Sequence, residues 1–350
     1  MSDSSFAARL IAWHADHGRH DLPWQQSRDP YRVWLSEIML QQTQVATVIP
    51  YYRRFLAQLP RLADLAAAPQ AEVMALWSGL GYYARARNLH RCAQVVMTEH
   101  GGEFPRQAEA IAALPGIGRS TAHAIADFCF DARLPILDGN VKRVLCRVLA
   151  IEGFPGAAQV ERRLWQEAER LLPASKVATY IQAQMDLGAG ICTRGRPKCD
   201  ACPLAAICRA QLEGRQAELP QARPRRAIPL RHTRMLVLRA RNRVWLEPRP
   251  PSGIWGGLLS LPELPEDQAV DKVALGVFLQ RHYGCRLLSV APAPTLMHTF
   301  SHFQLEIAPL ICDVEAENRA AESGGCWLDF DSLAQAALPA PVRKLLTSIV

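Results

Sequence analysis

The chain has 350 residues, 49% apolar and 21% charged, an ordinary balance for a globular protein with room for two domains and a core that needs no disulfide staples. The N-terminal MSDSSFAARLIAWHADHGRH lacks an apolar signal core, and no apolar run is long enough to span a bilayer. A membrane or exported protein is therefore not expected; a cytoplasmic one is, and its net charge of +7 favours a polyanionic partner, although a merely soluble basic protein would carry the same charge.

Residues 1–210 read as helical almost throughout, with apolar side chains at three- and four-residue steps and short Pro/Gly punctuation. Val33, Trp34, Ile38, Leu40 and Val45 illustrate the rhythm, and Glu37 falls inside it. A carboxyl among such neighbours is poorly solvated, which raises its pKa. It is equally compatible with a Glu at the edge of an amphipathic stripe.

Residues 108–130 place two helical stretches around Leu114, Pro115, Gly116, Ile117 and Gly118. Both glycines are free to adopt positive φ, and the turn would present amides at the start of the second helix, suited to a phosphate oxygen. An ordinary helical hairpin has the same pattern. Twenty residues beyond Gly118, an apolar run over 134–137 delivers Asp138 to the start of a helix expected at 140–150. Asp there is a natural N-cap, and amides bonded to its carboxylate would keep it ionised.

Cys192, Cys199, Cys202 and Cys208 follow a C-x6-C-x2-C-x5-C spacing within 17 residues. Four thiolates this close can hold zinc or an iron–sulfur cluster. A single C-x2-C knuckle favours the cluster. The intervening loop carries Arg194, Arg196 and Lys198, three cations placed to meet phosphate.

Residues 211–230 read as a basic Pro/Arg-rich linker, and 215–249 hold ten arginines. Beyond it the rhythm changes to strands at 235–238 and 244–246, a loop at 253–257, a helix near 267–283 and further strands. The expected fold is thus a mainly α region over 1–210 followed by a small α+β domain over 231–350.

LPGIG at 114–118, LDGN at 137–140 and the four cysteines together resemble the endonuclease III superfamily of helix-hairpin-helix DNA glycosylases. LPW at 22–24, DPY at 29–31, WLSEIMLQQT at 34–43 and GLGYYARARNL at 79–89 narrow this to the MutY-type adenine glycosylases. The resemblance runs over 1–210 nearly without gaps, and the C-terminal part is similar, more loosely, to that family's MutT-like domain.

That resemblance implies two helical subdomains and one 4Fe–4S cluster on Cys192, Cys199, Cys202 and Cys208. It implies Glu37 as the general acid that protonates adenine, with Asp138 stabilising the cationic sugar. Trp24 and Gln182 would line the base pocket, and Gln42 and Tyr82 would enter the duplex. The wider DNA-facing set is Gln41, Leu114, Gly116, Gly118, Ser120, Lys142, Arg194, Arg196 and Lys198.

Bifunctional members carry a lysine two residues after the hairpin glycine. Here Ser120 stands there, and a hydroxyl cannot form an imine. His298, Thr299, Phe300, Ser301 and His302 resemble the loop that reads 8-oxoguanine, or form a plain β-turn. The helix expected at 267–283 lacks the glutamates of a MutT-type hydrolase. The expected partner is double-stranded DNA with A:8-oxoguanine or A:G mispairs, met by a monomer. The competing readings are a superfamily glycosylase with another base specificity and a non-enzymatic cluster-bearing DNA-binding protein.

Overall fold

The computed structural model describes residues 3–223, 228–251, 253–300, 302–316 and 324–349. Two compact units emerge. One comprises Met1–Ala67 and Asn88–Arg225, the other Ala68–Arg87 and Arg226–Val350. No helix among the described residues is long and apolar enough to cross a membrane.

The first unit holds α1 (Asp3–His17), α2 (Pro30–Leu40), α3 (Val45–Gln58) and α4 (Leu62–Ala67). The chain then passes through α5 (Gln70–Trp77), which belongs to the second unit, and α6 (Ala84–Glu99), which bridges the division at residue 88. It continues through α7 (Ala108–Ala113), α8 (Arg119–Phe130), α9 (Gly139–Val148), α10 (Ala158–Arg170), α11 (Val177–Gly190) and the short α12 (Arg209–Leu212).

α9 packs on α10, α11 and α12; α8 packs on α2, α7 and α11; α1 lies on α11. One core runs from Phe6 and Leu10 through Val141, Val144 and Leu145 to Tyr180, Ile181 and Leu187. The apolar face of α9, with Val141, Val144, Leu145 and Val148 all buried, follows the helical repeat.

Gly188 of α11 lies directly against α9. A Cβ there would sit 2.5 Å from the Cβ of Asn140 and 3.3 Å from its Cα, so only glycine permits this approach. The Arg143 guanidinium locks it by donating to the Gly188 carbonyl at 2.6 Å.

The second unit is built on a mixed sheet with the order β3-β2-β1-β7-β5. Its strands are β1 (Leu230–Ala240), β2 (Arg243–Pro248), β3 (Leu259–Ser260), β4 (Glu263–Leu264), β5 (Cys285–Pro292), β6 (Leu296–Thr299), β7 (Gln304–Ala316) and β8 (Cys326–Asp329). β1 and β7 pair in parallel from Leu230↔Gln304 to Arg239↔Asp313, and the other pairings are antiparallel. Two helices, α13 (Lys272–Tyr283) and α14 (Ala340–Ser348), accompany the sheet.

The expected mainly α region followed by an α+β domain matches what is seen, with three differences in detail. The helix expected from 267 begins at Lys272, because the Asp271 side chain caps it by accepting from the amides of Val273 and Ala274. The stretch expected as a linker over 211–230 is shorter. Leu219 is buried in the first unit's core, its carbonyl bound by Arg147 at 2.8 Å, and Leu230 already lies in β1.

The third difference is the place of Ala68–Arg87, which clusters with the second unit rather than with 1–210. Arg87 donates to the Gly256 carbonyl at 2.6 Å, Arg343 donates to Ser78 Oγ at 3.2 Å, and Gly257 lies beside Gln70 and Met74. Local periodicity marks these residues as helical but carries no signal of their tertiary partners.

Gly188→Ala would force α9 and α11 apart, a strain costing roughly 1–3 kcal/mol. Urea unfolding is expected to show a lowered midpoint; an unchanged midpoint would mean the two helices can separate freely.

Candidate active site and cysteine cluster

Asp29 caps α2 by accepting from the Tyr31 amide at 3.0 Å, and Pro30 supplies the preset φ of its first turn. Tyr31, Val33, Trp34, Leu35, Ser36, Ile38 and Met39 are all buried, and Glu37 is half-buried among them. Asp138 caps α9 by accepting from the Val141 amide at 2.8 Å. The packing of α2 on α8, and of α11 on α8 and α9, brings the two acids to one cavity.

That cavity is about 740 Å³, within the range of small-ligand sites. Glu37, Gln41, Ser120 and Asp138 line it, together with Arg19, Asn140 and Met185. Burial pushes Glu37 up to about 7, and the nearby charge of Asp138 adds to the push. Burial also raises Asp138 above the ordinary carboxylate range, so the expectation that amides alone keep it ionised is too simple. The Val141 and Asn140 amides, with Arg143 and Lys142, act against that rise. No such donors serve Glu37 in its balance. Of the two, Asp138 is the better seat for negative charge and Glu37 for the proton.

Other expected residues are placed unevenly. Trp24 is buried edge-on against Tyr52, 5.5 Å between ring centroids, and does not line the cavity. Gln182 does not line it either; its amide donates to Asp186 Oδ1 at 2.8 Å. Asp186 in turn holds Arg19 through the Arg19 amide at 2.8 Å and its Nε at 2.9 Å. Arg19 thereby joins the cavity wall, a residue the sequence reading missed. It follows α1 in a polar stretch, HADHGRHD, with no periodicity to mark it.

Lys142 is engaged, its Nζ 2.6 Å from Glu161. Gln42 is exposed with φ +58, and Tyr82, in the second unit, is 52% exposed with φ +49. Positive φ in residues of this size is sparse and clusters at functional positions.

In the hairpin, Gly116 has φ +78, and a Cβ there would sit 2.6 Å from that of Asn88. Gly118 does not use the freedom to adopt positive φ. It is the extended N-cap of α8 at φ −90, and a Cβ there would meet nothing. Leu114 is buried. Ser120 Oγ accepts from the Leu137 amide at 2.9 Å.

Cys192, Cys199, Cys202 and Cys208 line one cavity, shared with Arg147, Lys198 and Gln216. Among the described residues, no three His, Cys, Asp or Glu side chains are gathered tightly enough to clasp a metal ion as they stand. The surroundings nevertheless fit an anionic group. Arg147 is only 3% exposed and donates to Cys192 Sγ at 3.3 Å and to the carbonyls of Thr193 and Arg194 at 2.7 and 3.2 Å. A buried guanidinium held by carbonyls and sulfur calls for negative charge nearby. Burial pushes the Cys202 thiol up to about 11, with the other three sulfurs adding to it, a crowding that a bound cation would reverse. Arg194 and Arg196 are exposed on the loop.

In the second unit, β6 and β7 are joined by a four-residue loop closed by Phe300 N–H donating to the Phe303 carbonyl at 2.9 Å. Phe300 stacks on Phe303 at 4.6 Å, and His302 is exposed. Ser301 lies outside the described residues. Trp255, which the sequence reading left in a plain loop, packs on His298 at 5.8 Å and on Phe300 at 5.6 Å. α13 contains no acidic residue.

Comparisons with known proteins agree with this architecture. Residues 35–170 match the HhH-GPD superfamily of base excision DNA repair proteins, and residues 233–348 match the NUDIX domain. An adenine DNA glycosylase of Buchnera aphidicola is 34% identical over 99% of this chain and 98% of its own. That of Mus musculus is 36% identical over 98% of this chain and 77% of its own. Among solved structures, a thermostable thymine-DNA glycosylase superposes with TM-score 0.54 at 29% identity, over 60% of this chain and 97% of its own. An endonuclease III–DNA complex shares the fold at TM-score 0.53 and 21% identity, over 61% of this chain and 98% of its own. With near full-length identity to such relatives and a helix-hairpin-helix unit joined to a NUDIX unit, the chain belongs to the adenine DNA glycosylase family.

Proposed function

We propose that this chain is a monofunctional, cytoplasmic hydrolase of the N-glycosidic bond of adenine mispaired with 8-oxoguanine or guanine in duplex DNA, acting as a monomer. The observation that carries the reading is the pair of carboxyl groups in one cavity, one lacking donors and the other capped by amides.

The adenine swings out of the stack, at a cost of a few kcal/mol that is smaller at a mispair. Gln42 and Tyr82 fill the space left behind. Gln182 serves the base pocket through the network it shares with Asp186 and Arg19, and Trp24, packed on Tyr52, supports the pocket without lining it. Glu37 gives its proton to adenine, so the base leaves neutral. The C–N bonding pair goes with the base, and the positive charge growing on the sugar is shielded by Asp138. Glu37, now a carboxylate, takes a proton from the water that attacks the sugar. Each electrostatic contribution of this kind is worth roughly 3–4 kcal/mol. Ser120 offers no amine, and Lys142 is occupied by Glu161, so strand cleavage through an imine is not supported.

Cys192, Cys199, Cys202 and Cys208 would hold a 4Fe–4S cluster. When bound, it supplies a structural anchor without redox chemistry in the reaction. Arg147 fixes the cluster loop from within, and Arg194, Arg196 and Lys198 meet phosphates from it. Hairpin amides around Gly116 and Gly118 do the same from the other side of the site. In the C-terminal unit, Phe300, Ser301 and His302 read 8-oxoguanine, with Trp255 buttressing Phe300.

Glu37→Gln and Asp138→Asn are each expected to abolish single-turnover excision from an A:8-oxoguanine duplex while duplex binding persists; near-normal rates in either would refute the roles. Because the protonated form of Glu37 is the active one, the rate should fall as pH rises through about 7. A rate that climbs steadily to pH 9 would exclude Glu37 as the acid. The same raised pKa means stability is lost between the unfolded value and about 7, so Glu37→Gln should stabilise the protein at pH 8 by on the order of 2 kcal/mol.

Purified protein is expected to be brown with broad visible absorbance, and Cys199→Ser to lose that absorbance; a colourless wild type containing zinc would replace the cluster. Phe300→Ala should keep adenine excision but narrow the preference for 8-oxoguanine over guanine opposite, and an unchanged ratio of rates would remove this loop from lesion reading.

A further inference from the structure

Asp138 stands at the end of residues 131–138, a stretch with no helix or strand of its own. Pro135, Ile136 and Leu137 in it are buried, and buried backbone groups need partners. One face of α8 provides them. The Leu137 amide donates to Ser120 Oγ at 2.9 Å. His123 Nδ1 meets the Pro135 carbonyl at 2.6 Å. The Leu134 amide donates to Asp127 Oδ1 at 3.2 Å. Positions 120, 123 and 127 recur at three- and four-residue steps, so a single helix face presents all three. They meet residues 137, 135 and 134 in reverse order, so helix and segment run antiparallel.

His123 and Asp127 are 8% and 1% exposed, and neither lines the cavity of Glu37 and Asp138. A buried carboxyl is a costly way to fill space, and Asp127 Oδ2 is buried with no hydrogen-bond partner. Burial pushes Asp127 up to about 8, against the pull of the Leu134 amide, which favours its neutral form. Burial lowers His123, against the Pro135 hydrogen bond, which favours the neutral ring with its proton on Nδ1. Two neutral polar groups thus grip the backbone without adding a charge near Asp138.

We infer that Ser120, His123 and Asp127 form a clamp on residues 134–137 and act as positioning residues for Asp138, fixing where its carboxylate stands in the cavity. The inference rests on the reading of Asp138 as the group that shields the sugar. It extends that reading to two side chains with no contact to substrate.

The test uses the full-length protein and an A:8-oxoguanine duplex. His123→Ala and Asp127→Ala should each lower the single-turnover rate by about tenfold or more, since a displacement near 1 Å is costly to catalysis. Duplex Kd should stay within about twofold, because binding does not need the carboxylate's exact seat. His123→Asn and Asp127→Asn should recover most of the rate, as Asn Nδ2 replaces His Nδ1 and Asn Oδ1 replaces the Asp acceptor. A merely structural role would lower Tm and leave the Asn variants no faster than the Ala variants. Ser120→Ala, at the half-exposed end of the ladder, tests the same clamp if the buried variants do not fold.

Amide exchange gives a readout independent of activity. Leu134 and Leu137 should be protected in the wild type and lose protection selectively in the corresponding variants. Fast exchange of both amides in the wild type, or Ala variants that cleave at wild-type speed, would overturn the clamp. A wild type that excises no adenine would count instead against the reading of Asp138, with exchange still deciding the clamp.

Discussion

Two acids in one poorly solvated cavity cannot both carry charge cheaply, and the rest of the first unit is arranged around that constraint. Glu37 is carried by a helix whose other side chains are almost all buried, so its surroundings offer little to a carboxylate. Asp138 sits at a helix start, where amides and the helix dipole favour negative charge. The asymmetry is made by the backbone amides at the start of α9, with Arg143 and Lys142 adding to it. It depends on α2, α8, α9 and α11 holding their mutual packing, to which the close approach at Gly188 contributes.

Much of this was legible beforehand, because the motifs are local. The Asp138 cap, the glycine turn and the cysteine spacing each express a short-range rule and could be read from a few consecutive residues. Glu37 could be placed on a helix by periodicity, although its role came only with the resemblance over 34–43. What stayed hidden depends on residues far apart in sequence. Arg19 joins the cavity through Asp186, 167 positions away. Trp255 meets Phe300 from a separate loop. Nothing in the sequence pattern around His123 and Asp127 tells that their polar atoms meet a backbone segment. Of the two hairpin glycines free to adopt positive φ, only Gly116 does so; at Gly118 the backbone is extended and the space beside it open.

In the C-terminal unit, fold alone does not give a reaction. It matches the NUDIX domain over 233–348, yet α13 has no carboxylate with which to hold the metal of a hydrolase. What remains is a twisted sheet presenting a loop with a small aromatic cluster at its base.

The place of Ala68–Arg87 has a consequence for how such proteins can be recombined. The two units are not consecutive stretches of the gene: the boundary is crossed near 67, 87 and 225. A chimera joined at a single breakpoint before the sheet would strand a helix whose native companions, Gly256 and Arg343 among them, came from the discarded parent. Exchanging C-terminal modules between relatives therefore calls for transplanting two separate pieces of sequence together, and the short inner piece travels as an obligate passenger of the longer one.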